Sequence, residues 1–236
     1  MKPTVHPPAY RIAAAAVHIF TGLGAVCGFY ATLAVFDQRW EAMFAWLGLA
    51  FLIDGIDGTF ARMVDVERRL PTVSGERLDL VVDYVTYVFV PVLALIHKGY
   101  LVGPLGHVMA AGILLSSLYH FVDVGNKSDD HCFVGFPAIW NIVAFHIFAF
   151  DLTQPQVAVV VLVCTVLTFV RWRWVHPMRV QSLWPVTLSL TALWLVAALW
   201  TVMQGLPATG WASLVFAAAM VWGVGLSLAW RTPPEG

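Results

Sequence analysis

Apolar residues along this chain fall into long runs, each broken by a short polar or Pro/Gly stretch. A helix that crosses a bilayer needs about 20 mostly apolar residues. By that measure the pattern predicts eight spans, near residues 12–36, 40–62, 77–97, 101–122, 133–151, 156–174, 183–204 and 208–230. The breaks between them, such as Asp37–Glu41, Met63–Glu76 and Asp123–His131, are too short to hold another domain. The first run is as long as a full span and lacks a clean small-residue cleavage site, so it reads as a retained helix. The expected fold is a single membrane domain over 1–236, all-α, with about eight transmembrane helices.

Composition agrees. Of 236 residues 60% are apolar and 11% charged, against roughly a quarter charged in soluble domains. With 13 Lys+Arg against 14 Asp+Glu and no basic run, a nucleic-acid binder is excluded. Cys27, Cys132 and Cys164 are widely separated, so neither a zinc knuckle nor a disulfide framework is expected. The histidines show no HxH or HExxH spacing, and none is assigned to a metal. Lys and Arg set the orientation, because positive charges near span ends stay cytoplasmic. Eleven of them fall on one side, among them Arg62, Arg68, Arg69, Arg77, Arg171, Arg173 and Arg179, against Arg39 and Lys98 on the other. Both termini are therefore expected in the cytoplasm.

Acidic residues inside spans are costly and mark function. Asp54 and Asp57 stand i,i+3 near the cytoplasmic end of the second span, and Asp79 and Asp83 stand i,i+4 at the start of the third. Each pair projects from one helix face, and the short loop between makes the helices antiparallel neighbours. Four carboxylates at similar depth cannot all stay ionised without counter-charge. Hard divalent cations suit an all-oxygen set, and a two-ion site is a known device for phosphoryl transfer. Gly55, Gly58 and Ala61 thin one face of the second span, and Gly75 opens the turn into the third.

Asp54-x-x-Asp57-Gly58-x-x-Ala61-Arg62, twelve residues, then Gly75-x-x-x-Asp79-x-x-x-Asp83 resembles the signature of the CDP-alcohol phosphotransferases at all eight defining positions. The spacer is longer than is usual in that family. DYVTYVFVPVLAL, SSLYHFVDVGNKSDDHCFVGFPAIWN and HPMRV resemble its choline-using bacterial branch, so the likeness covers most of residues 40–190. The resemblance implies a multi-pass enzyme of the bacterial inner membrane, its active site facing the cytoplasm, using two Mn2+ or Mg2+ ions. It would transfer the phosphatidyl group of CDP-diacylglycerol to choline, giving phosphatidylcholine and CMP. It implies that Asp54, Asp57, Asp79 and Asp83 hold metal, and that Asp83 takes the proton from the choline hydroxyl. Asp54, Gly58, Ala61, Arg62 and Gly75 would bind CDP-diacylglycerol. Family likeness also implies a homodimer surrounded by membrane lipids.

Choline is a quaternary ammonium, which aromatic faces bind. Tyr84, Tyr87, Tyr119, Trp140 and Asn141 are the candidates by their expected depth near Asp83. Asp123, Asp129 and Asp130 offer loop carboxylates, and Arg171, Arg173 and Arg179 offer lipid-phosphate contacts. No Ser, Cys or His is placed for a covalent intermediate, which favours direct displacement. Serine, glycerol phosphate or inositol phosphate as acceptor is the nearest alternative. A carboxylate-lined cation transporter is the rival of another class, but transport sites favour the midplane and repeated halves.

Overall fold

A computed structural model describes residues 8–123, 133–170, 173–174 and 184–229. Among them the helices are α1 (Pro8–Phe36), α2 (Trp40–Val64), a short α3 (Val66–Arg69), α4 (Gly75–His97) and α5 (Gly103–Val122). After these come α6 (Trp140–Ala149), α7 (Gln154–Phe169), α8 (Trp184–Gln204) and α9 (Trp211–Ala229). The only strands among the described residues are β1 (Phe133–Val134) and β2 (Arg173–Trp174), paired antiparallel. Six of the helices are long and apolar enough to cross a membrane; α6 and α7 are apolar but shorter. The chain is an α-helical, multi-pass membrane protein.

Contacts divide the chain into two compact units, residues 1–90 and 91–236. In the first, α1 packs along both α2 and α4. The approach to α4 is close because α1 carries Gly24-x-x-x-Gly28. A Cβ on Gly24 would fall 2.5 Å from Val82 Cγ1, and one on Gly28 would fall 2.9 Å from Val85 Cγ1. Small residues at this spacing let membrane helices meet backbone to backbone. Asp65, at φ 51°, ends α2 in the left-handed conformation. The short α3 that follows packs Val66 against Ala14 and Val17 of α1, with Ala61 and Leu70 at the edge. Ser74 caps α4, its hydroxyl accepting the Arg77 N–H at 3.3 Å.

The helical ladder of α4 widens to a π-helical turn over Tyr84–Phe89, and Thr86 in that turn gives its hydroxyl to the Val82 carbonyl at 3.0 Å. An α-helix turns once in about 3.6 residues, so side chains at successive i+4 positions drift around it. A wider turn takes up that drift, and such turns recur at functional sites. Here it keeps Tyr87 near the face that carries Asp79 and Asp83.

In the second unit α5 packs on α7 and α8 on α9. The helix expected over 133–151 covers only Trp140–Ala149. Pro137 has no N–H to give a helix, and Gly135 (φ 81°) and Ala138 (φ 55°) turn the backbone left-handed. The Phe136 N–H goes instead to the Leu167 carbonyl at 3.0 Å. This gives one amide of the non-helical stretch a backbone acceptor. The span expected over 156–174 likewise stops at Phe169, where Val170 becomes extended ahead of β2.

Candidate active site

The buried stripe of α2 runs through Met43, Leu47, Ala50 and Ile53, and Asp57 continues it where an apolar residue would otherwise stand. Asp57 is 7% exposed; Asp54, Asp79 and Asp83 are half-buried. One carboxylate oxygen from each of Asp54, Asp57 and Asp79 lies within 4.8 Å of the other two. Asp83 stands outside this tight group, one turn further along α4, and lines the same narrow cleft. Thr21 and Gly24 of α1 and Thr86 of α4 complete its walls.

Two hydroxyls fix the α2 carboxylates. Thr21 Oγ1 donates to Asp57 Oδ2 at 2.7 Å, and Tyr87 Oη donates to Asp54 Oδ2 at 2.5 Å. A carboxylate has two oxygens and about four lone-pair sites, so each keeps capacity for a further partner. Three like charges gathered in a half-buried cleft repel one another unless a proton or a cation intervenes. The donor set is all oxygen, hard and anionic, and so fits a divalent cation of the Mg2+ or Mn2+ kind.

The remaining motif residues are arranged less simply. Gly58 faces the Arg62 guanidinium, 3.4 Å from where its Cβ would be, and Arg62 Nη2 donates to Thr59 Oγ1 at 3.1 Å. Gly75 faces the His18 ring, with Cε1 at 3.3 Å from the missing Cβ. Ala61 packs toward Ala14, Val17 and Val66. Small side chains at 58, 61 and 75 therefore make room for parts of this chain as well as for any ligand.

Of the residues proposed for choline, Tyr84 is half-buried at the start of the π turn, and Tyr87 is 8% exposed with its hydroxyl committed to Asp54. Tyr119, Trp140 and Asn141 belong to the second unit. Tyr119 is half exposed beside Phe169. Trp140 is fully buried and gives its indole N–H to Ser117 Oγ at 2.9 Å. Asn141 Oδ1 accepts the Ile142 N–H at 2.9 Å. Asp129, Asp130, Arg171 and Arg179 lie outside the described residues, as does the side chain of Arg173.

Sequence reasoning located α1 as a span but overlooked its part in the site. Thr21, Gly24 and Gly28 share one helical face, and the Gly-x-x-x-Gly spacing in an apolar run was a readable sign of a close helix pair. The hydroxyl at 21 carries no comparable sign, since threonine is common in spans.

No protein-family model matches the chain. Curated proteins do. It is 39% identical over 215 residues to the phosphatidylcholine synthase of Agrobacterium fabrum, covering 91% of this chain and 89% of that one. It is 40% identical over 215 residues to the phosphatidylcholine synthase of Bradyrhizobium diazoefficiens, covering 91% and 80%. To that of Pseudomonas aeruginosa it is 39% identical over 230 residues, covering 97% and 95%. Likeness at this level over most of both chains shows the family: the chain belongs to the phosphatidylcholine synthase family.

Proposed function

We propose that this enzyme transfers the phosphatidyl group of CDP-diacylglycerol to choline, releasing CMP, at the cleft between α1, α2 and α4. The observation that carries the reading is the convergence of Asp54, Asp57 and Asp79, from two helices, in a chain of this family. Asp54, Asp57 and Asp79 would hold the first divalent cation, with Asp83 completing a second position. Such ions supply Lewis-acid polarisation of the phosphoryl oxygens and neutralise charge on the leaving group.

The chain's own groups do the rest. Asp83, outside the tight group yet on the same cleft, accepts the proton of the choline hydroxyl as its oxygen attacks the β-phosphorus. The bond from that phosphorus to the CMP oxygen breaks, and CMP leaves with the electron pair. Arg62, exposed at the end of α2, binds the phosphates. Tyr84, next in sequence to Asp83 and not fully buried, offers an aromatic face to the trimethylammonium group. The excess of Lys and Arg on one set of loops supports a cytoplasmic cleft.

The test offers purified enzyme CDP-diacylglycerol with choline, serine, glycerol phosphate or inositol phosphate in turn, and measures lipid product and CMP. Phosphatidylcholine and CMP in equal amounts, with choline alone, is the expected result. CMP release with another acceptor only would keep the chemistry and overturn the substrate.

A further inference from the structure

We propose that Tyr87 and Thr21, two hydroxyls outside the eight-position motif, are positioning residues for the carboxylates of Asp54 and Asp57. The inference rests on the metal-holding role given above to those aspartates. The two aspartates sit three residues apart on α2, and each is held from a different neighbouring helix. Thr21 reaches Asp57 from α1, and Tyr87 reaches Asp54 from α4. The two donors stand on different helices, so the pair is fixed from two sides.

Both donors are themselves constrained. Thr21 is 7% exposed and Tyr87 8%, and the Tyr87 ring lies tilted against Phe51 at 6.3 Å. A threonine side chain is short, and it reaches Asp57 from a helix that Gly24 and Gly28 bring close to α4. Tyr87 holds its position through the π-helical turn. Groups that orient a metal ligand through its other oxygen typically change metal affinity by roughly 10- to 100-fold when removed. The same geometry takes Tyr87 out of the choline pocket. Its hydroxyl is committed to Asp54, and its ring is too enclosed to offer an open face to an ammonium group.

The experiment titrates Mn2+ into purified full-length protein and follows free Mn2+ by electron paramagnetic resonance. It compares wild type with Tyr87→Phe, Thr21→Val and Thr21→Ser, and measures the KM for choline at saturating Mn2+ and the metal-free Tm of each. Tyr87→Phe and Thr21→Val are expected to weaken Mn2+ binding by roughly 10- to 100-fold. Thr21→Ser, which keeps the hydroxyl, restores affinity to near the wild-type value, and the choline KM stays unchanged throughout. Tyr87→Phe deletes one atom and keeps the ring, so it carries the test even where Thr21→Val fails to fold. A raised choline KM in Tyr87→Phe with wild-type Mn2+ affinity would overturn the proposal, as would a fall in Tm alone. Wild-type protein that binds no Mn2+ would instead overturn the metal-site reading from which the proposal starts.

Discussion

The two units of this chain bury polar groups in opposite ways. In the second, His146 is ringed by Phe145, Phe150, Trp194 and Phe216. Its Nε2 accepts the Trp194 indole N–H at 3.2 Å, and since an indole can only donate, the imidazole proton sits on Nδ1, facing the Ile142 carbonyl at 2.8 Å. Trp140 and Ser117 form a second neutral pair nearby. These are donors matched to acceptors, and they hold a packed interior. In the first unit three aspartates of one sign meet, with hydroxyls on two of them. An aromatic box filled by the protein's own imidazole needs nothing more, whereas a cluster of like charges asks for a cation. Aromatic density alone is therefore a poor sign of a ligand site, and charge concentration is the better one.

The sharpest way to break this contrast is to remove one charge from the cluster. Asp54→Asn, Asp57→Asn or Asp79→Asn is each expected to lower turnover by more than roughly 100-fold, beyond what losing an outer partner of a metal ligand does. Initial rates of CMP release would show it. A smaller effect is expected at the seam that brings α1 in. Gly24→Ala drives a methyl to 2.5 Å from Val82 and should cost about 2–3 kcal/mol. Gly22→Ala, where nothing lies within 4 Å, should cost none. Unfolding of the detergent-solubilised variants compares them.

How far the sequence led follows from the same contrast. Charged residues inside apolar runs are conspicuous, so Asp54, Asp57, Asp79 and Asp83 stand out in the sequence, and the structure gathers the first three; long apolar runs located α1, α2, α4, α5, α8 and α9 to within a few residues. Residues 133–139 were read as helix because an apolar run has no visible period that separates helix from extended chain. The Gly135 and Pro137 signals for a break were present but outweighed. Thr21 and Tyr87 were beyond reach in their roles, because a neutral hydroxyl acquires its meaning only from the carboxylate that packing brings to it.

Two milder changes sharpen the other side of the comparison. Ser117→Ala leaves the Trp140 N–H buried without its acceptor and should cost about 1–2 kcal/mol, while Mn2+ affinity, set in the first unit, stays at the wild-type value in the same titration. The smallest effect concerns Tyr100, in the turn between α4 and α5, which donates to Asp151 Oδ1 at 3.3 Å. Burial, reinforced by the Asp151 charge and hydrogen bond, pushes its phenol up to about 12. Below pH of about 10 the phenol is protonated in both folded and unfolded chains, and it adds no pH dependence. Above that value the unfolded phenol ionises first, so stability falls as pH rises toward 12. Tyr100→Phe should flatten that alkaline decline in Tm.

The most direct measurement of the central claim strips purified enzyme of metal with a chelator, removes the chelator, and then follows phosphatidylcholine formation from labelled choline and CDP-diacylglycerol as Mn2+ is returned in steps. Activity that is absent in stripped protein and returns saturably with Mn2+, but does not return in Asp57→Asn, is the result this account predicts. Full turnover by the stripped enzyme, or equal recovery in Asp57→Asn, would contradict it.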